Sequence, residues 1–131
     1  MALLPITLAT AAAAAILNVW LMIRVGRVRN AEKIFVGDED NENVIRRMRA
    51  QANFVESAPF VLILIAAIEL AGKGQPWLQW IAGLYIIARV AHALGMDGGS
   101  LSKGRMIGTI ITLLTLLGLG IVAALIAARV L

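Results

Sequence analysis

The chain has 131 residues, 60% of them apolar and 15% charged, with a mean hydropathy of +0.86; soluble domains run at about 45–50% apolar and about 25% charged, so this composition excludes a free-standing soluble domain and places the chain in a bilayer. At about 20 residues per membrane-crossing helix, residues 1–131 hold at most four or five spans in a single membrane domain. The absence of cysteine excludes disulfides, thiolate metal sites and a nucleophilic thiol of the protein's own, so any sulfur chemistry must arrive with a ligand.

In chain order, the first apolar run covers residues 2–23, where Thr7, Thr10 and Asn18 are the only polar side chains. Its positive charge follows rather than precedes it, in Arg24, Arg27, Arg29 and Lys33, which predicts a retained helix instead of a cleaved signal peptide. A second span is predicted over 53–71, ending at the turn Gly72-Lys73-Gly74-Gln75-Pro76. Pro76 suits the opening of a third span, 77–94, which the stretch Asp97-Gly98-Gly99-Ser100 breaks. The fourth run, 106–128, is nearly all aliphatic, with Thr109, Thr112 and Thr115 on roughly one face. The fold class expected is an all-α, four-helix membrane bundle. Trp20, Trp77 and Trp80 are assigned to the interfacial aromatic belt, and Ala11 to Ala15 and Gly104-x-x-x-Gly108 to close helix contacts.

The net charge of +4 matters less than its distribution. The segment 24–52 carries Arg24, Arg27, Arg29, Lys33, Arg46, Arg47 and Arg49, and the segment 95–105 carries Lys103 and Arg105, whereas the other side has only Lys73 and Arg129. Lysine and arginine favour the cytoplasmic side, so both loops are expected there and both termini outside, in the inner membrane if the cell is bacterial. The acidic stretch Gly37-Asp38-Glu39-Asp40-Asn41 reads as a solvated turn. It lacks the spacing of an EF-hand, so no metal site is expected, and the mixed charge of the loop argues against a simple lipid-binding basic patch.

Ionisable residues within the spans carry the functional argument. With helix starting in the loop, Arg46, Arg49, Asn53 and Glu56 share a face at spacings of three and four, and Tyr85, Arg89, His92 and Met96 do the same on the third span. Intramembrane charges cost about 2.5–3.5 kcal/mol each, so they face a bundle interior or a wet cavity. Arg24 or Arg27, Asn53, Glu56, Arg89, His92 and Arg105 are therefore expected to converge in a basic pocket at the cytoplasmic end. A plain Arg89–Glu56 ion pair would serve packing alone. One glutamate does not neutralise Arg49, Arg89 and Arg105 together, however, and the surplus calls for an anionic, carboxylate-bearing ligand. Glu69 is expected to reach the opposite interface or Lys73.

The segment Arg49-Ala50-Gln51-Ala52-Asn53-Phe54-Val55-Glu56, followed by Pro59, resembles the signature of the membrane-associated proteins in eicosanoid and glutathione metabolism, and Arg89-Val90-Ala91-His92 resembles the Arg-x-x-His of their prostaglandin E synthase branch. The resemblance implies a homotrimer of four-helix subunits that binds glutathione between neighbours near the cytoplasmic face and passes its thiolate to a lipophilic electrophile or lipid hydroperoxide. By position it implies that Arg49, Asn53 and Glu56 hold the glutathione backbone, with Gln51 inside the same motif. Arg89 and His92 line the same site, and Arg105 stands beside the sulfur as thiolate stabiliser; Arg24, Arg27 and Tyr85 complete the candidate binding set. Met96 departs from the pattern, because many relatives carry tyrosine one turn after the third-span histidine, and the link from Asp97 to Lys103 looks slightly long.

A guanidinium grips carboxylates through paired charge-assisted bonds and favours a nearby thiol's charged form, so glutathione chemistry suits this residue set independently of the resemblance. The reading is thus a membrane glutathione transferase or glutathione-dependent peroxidase, with membrane lipids around it and no nucleic-acid partner. The competing readings are a noncatalytic lipid- or glutathione-binding scaffold and a small four-span multidrug transporter. The latter would place a carboxylate in the middle of span one, where this chain has none.

Overall fold

The computed structural model describes residues 3–98 and 102–131. It consists of four helices, α1 (Pro5–Glu32), α2 (Glu42–Leu70), α3 (Trp77–Met96) and α4 (Lys103–Ala127), each long and apolar enough to cross a membrane. The expected first residue of span one, Ala2, and the glycine and serine of the break after α3, Gly99 and Ser100, lie outside the described residues.

The helices overrun the apolar segments. α1 continues nine residues past Ile23 and α2 begins at Glu42, so the connection between them is 33–41 rather than 24–52. Hydropathy marks where hydrocarbon ends, not where backbone hydrogen bonding ends, and the polar stretches on both sides are good helix formers. Lys33 turns the chain out of α1 in a left-handed conformation (φ 55°). Asn41 then caps α2 by accepting from the amides of Asn43 (3.0 Å) and Val44 (3.1 Å). The acidic stretch between them is a turn in which the Asp38 carboxylate accepts from the Asp40 amide at 2.9 Å. α4 starts at Lys103, three residues before the apolar run, because Ser102 caps it.

Pro5 opens α1 without a capping side chain of its own. Its free amides are met instead by Glu69 near the end of α2, whose carboxylate accepts from the backbone of Ile6 and Thr7 (2.8 Å each) and from the Thr7 hydroxyl (2.7 Å). Glu69 therefore joins the ends of α1 and α2 and does not pair with Lys73.

α2 touches each of the other helices, α3 and α4 form the tightest pair, and α1 and α4 do not touch. The α3–α4 contact depends on three glycines, of which Gly95 on α3 leaves no room for a Cβ against the Arg105 amide. A Cβ on Gly104 would come within 2.8 Å of the Ala91 carbonyl oxygen, and one on Gly108 within 2.5 Å of the His92 Cβ. The Gly104-x-x-x-Gly108 pattern is thus a close helix contact. The apolar core runs through Leu17, Leu21, Phe54, Val61, Ile65, Leu78, Tyr85 and Leu119, while Ile16, Ile63, Ile87, Leu113, Leu114 and Leu117 remain outward-facing, as a hydrocarbon surrounding requires.

Candidate functional site

Arg49, Asn53 and Glu56 follow one another at one-turn spacing along the first half of α2, on a side of the helix that the bundle leaves open. Opposite them stand His92 and Met96 from the last turns of α3, and Arg105 and Thr109 from the first turns of α4. Together with Ala52 these residues line a cavity of about 260 Å³ at the basic end of the bundle. Arg105 arrives there because Ser102 sets the start of α4. The Ser102 hydroxyl donates to the Gly95 carbonyl (2.7 Å) and accepts from the Arg105 amide (3.3 Å).

A smaller cavity of about 190 Å³ adjoins it one turn deeper, sharing Asn53, Glu56 and Thr109 and adding Ser57, Arg89, Thr112, Leu113 and Leu116. Arg89 is 1% exposed. Its Nη2 donates to Asn53 Oδ1 (2.6 Å) and lies 3.4 Å from His92 Nδ1, and its Nη1 donates to Thr112 Oγ1 (3.1 Å), while its Nε has no partner among the described residues. With the Asn53 oxygen taken by Arg89, the asparagine amide N–H groups are left to donate into the cavity.

No ion pair forms between Arg89 and Glu56; among the described residues no carboxylate lies within 4.0 Å of Arg89. The structural pair considered from the sequence is replaced by neutral acceptors, Asn53 and Thr112. Nor do the side chains of Arg49, Glu56 and Arg105 hydrogen-bond to any other described residue. Three guanidinium groups and one carboxylate are therefore gathered within or directly behind one partly desolvated cavity, which favours an anion carrying more than one acidic group.

Four residues expected from the sequence are not brought to this cavity. Arg24 is buried on the far side of α3, where it pairs with Asp97, donates to the Ala93 carbonyl (3.2 Å) and stacks over Trp20 at 4.8 Å from the ring centre. Arg27 is exposed and does not line it. Gln51 turns toward α1 and donates to Asn18 (3.5 Å), since one residue of helix rotates a side chain by about 100° away from its neighbours. Tyr85 lies deeper, with its hydroxyl 2.7 Å from that of Ser57. The Ser57 hydroxyl also lies 3.3 Å from the Phe54 carbonyl, so an arrangement with Tyr85 donating to Ser57 and Ser57 to Phe54 uses both protons.

Sequence reasoning missed Ser57 and the tie around Asp97. Asp97 caps the carboxyl end of α3, where a negative charge opposes the helix dipole, and that unfavourable placement is a signal that a cation must face it.

The family model described as MAPEG family matches residues 7–125. No curated protein matches the chain.

Proposed function

The chain belongs to the MAPEG family and is an integral, multi-pass membrane protein, and from that premise we propose that it is a membrane glutathione transferase or glutathione-dependent peroxidase acting on lipophilic electrophiles or lipid hydroperoxides. The observation that carries this reading is the cavity that joins Arg49, Asn53, Glu56, His92 and Arg105, with cations in excess of acids. Glutathione offers two carboxylates and one ammonium. Arg49 grips a carboxylate, Glu56 takes the ammonium, and the Asn53 amide, held from behind by Arg89, donates to the peptide. Arg105 faces the thiol and favours its thiolate, which raises the population of the nucleophile near neutral pH. Met96 lines the cavity and donates no hydrogen bond, so this stabilisation falls to Arg105.

The basic end of the bundle faces the cytoplasm in this reading, and both termini lie outside. Glutathione enters from the cytosol and the apolar co-substrate from the bilayer. The open α2 face supports assembly as a homotrimer, in which a neighbouring copy closes the cavity and shields it from water.

Calorimetric titration of the detergent-solubilised protein with glutathione, paired with conjugation of a generic aryl halide and reduction of an organic hydroperoxide, tests the reading. Binding in the millimolar range or tighter with measurable turnover is expected, and Arg105→Ala is expected to lower turnover on the order of 10²-fold while largely retaining binding. Absence of binding at millimolar glutathione rules the reading out. Binding without turnover in the unaltered protein assigns the chain to the noncatalytic scaffold class instead.

A further inference from the structure

The cavity is divided between two bodies. α2 supplies Arg49, Asn53 and Glu56, whereas the closely packed α3–α4 pair supplies His92, Met96 and Arg105. The distance from Arg105 to a ligand held by α2 therefore depends on what fixes one body against the other. Two polar ties do so within the span: Arg89 to Asn53, and Tyr85 to Ser57. Asp97 lies eight residues beyond Arg89, about 12 Å nearer the basic end.

Asp97 uses both carboxylate oxygens. Oδ2 accepts from Arg24 of α1 and Oδ1 from Arg47 Nε of α2 at 3.0 Å. Arg24 also donates to the Ala93 carbonyl (3.2 Å) in the last turns of α3, and Arg47 Nη1 donates to the Arg24 carbonyl (3.4 Å). Three helices meet in this cluster. It lies just around the helix from the site: Met96 faces the cavity, and Asp97, rotated by about 100°, faces α1 and α2. On α2, Arg47 reaches to Asp97 while Arg49 reaches into the cavity.

We propose that Asp97 is a positioning residue that sets Arg105 against the half-site on α2. The path is continuous. It runs from Arg47 on α2 to Asp97, then through the last turn of α3 to the Gly95 carbonyl, then to the Ser102 hydroxyl and the Arg105 amide. A carboxylate at a helix carboxyl terminus is placed against the dipole, and the two arginines that pair with it offset that cost. The tie also keeps Arg24 and Arg47 out of the cavity, so the charged groups facing the ligand sulfur are Arg105 from α4 and Arg49 and Glu56 from α2, with the imidazole of His92 from α3 beside them.

The inference rests on the glutathione reading above, and the experiment separates the two. The ultraviolet absorption of bound glutathione thiolate is followed against pH in the unaltered protein, Asp97→Asn, Asp97→Glu and Arg47→Gln, alongside kcat, KM and thermal stability. In Asp97→Asn the midpoint for thiolate formation is expected to rise by about one pH unit, which is about a tenfold smaller thiolate fraction below the midpoint. kcat falls more than KM rises, and Asp97→Glu restores part of the loss. Arg47→Gln leaves the Arg24 pair in place and is expected to shift the midpoint less in the same direction, but loss of a cation raises the midpoint by itself; Asp97→Glu, which keeps the charge, therefore carries the test if Asp97→Asn does not fold, with a smaller rise expected. A purely structural role would lower stability and leave the midpoint unchanged. Loss of the Asp97 charge acting directly on the thiol would lower the midpoint, so a midpoint unchanged or lowered in every folded variant overturns the inference alone, whereas absence of any thiolate signal in the unaltered protein overturns the glutathione reading itself.

Discussion

Arg89 and Arg105 differ in role because they differ in what surrounds them. Arg105 is half-buried at the cavity wall with a guanidinium that no other described residue engages, but Arg89 is sealed in the bundle and spends its donors on Asn53 and Thr112. In the proposed reading Arg89 thus acts on glutathione through Asn53, whose oxygen it holds. A lysine at this position would keep the charge but reach the two acceptors less well than a planar fork. Arg89→Lys is expected to weaken glutathione binding about tenfold by titration, with little change in the ratio of kcat between co-substrates. An unchanged dissociation constant would show that Asn53 needs no such support. The one-face spacing of Asn53 with Glu56, and of Arg89 with His92, was legible in the sequence, because helical periodicity alone determines it. That Arg89 stands behind Asn53 and not beside it depends on the relative depth of two helices, which periodicity within each does not contain.

At the scale of elements, the four helices were readable because hydrocarbon imposes long apolar runs. Their ends on the basic side were not, whereas the end of α2, the start of α3 and the end of α4 fall within a residue of the expected bounds. α1 and α2 extend well past their apolar segments, and Asn41 and Ser102, the residues that start α2 and α4, sit in polar stretches where hydropathy carries no information. The consequence falls on the site: only with α2 beginning at Glu42 does Arg49 belong to the same rigid helix as Asn53 and Glu56. Glu69 is a similar case. Its role as the cap of α1 requires knowing that the two helices are antiparallel and level at that end. The α3–α4 contact offers a direct test, since a β-branched side chain at Gly108 would overlap His92 and the Ala88 carbonyl. Gly108→Val is expected to cost about 1–3 kcal/mol of stability and to displace Arg105 from the α2 half-site, so that thermal stability and turnover fall together. Full activity in a destabilised variant would separate packing from catalysis.

For the whole molecule, charge is sorted along the bundle axis. One end carries the basic residues of α1, α2 and α4, and the other is tied by Glu69, with apolar surface between. Within the basic end the arginines divide again. Arg24 and Arg47 are neutralised in part by Asp97, while Arg49, Arg89 and Arg105 share the single acid Glu56 at or behind the cavity. In the proposed reading, positive excess at one place in the bundle, rather than on the chain as a whole, selects the ligand. A ligand that lacked carboxylates would leave these guanidinium groups desolvated without compensation. The measurement that addresses this most directly is a comparison of glutathione with its diethyl ester in calorimetric titrations at low and physiological salt. The ester, which keeps the thiol and ammonium but loses both carboxylate charges, is expected to bind at least tenfold more weakly and with little dependence on salt. Equal affinity of the two ligands at both salt concentrations would contradict recognition by surplus arginine charge.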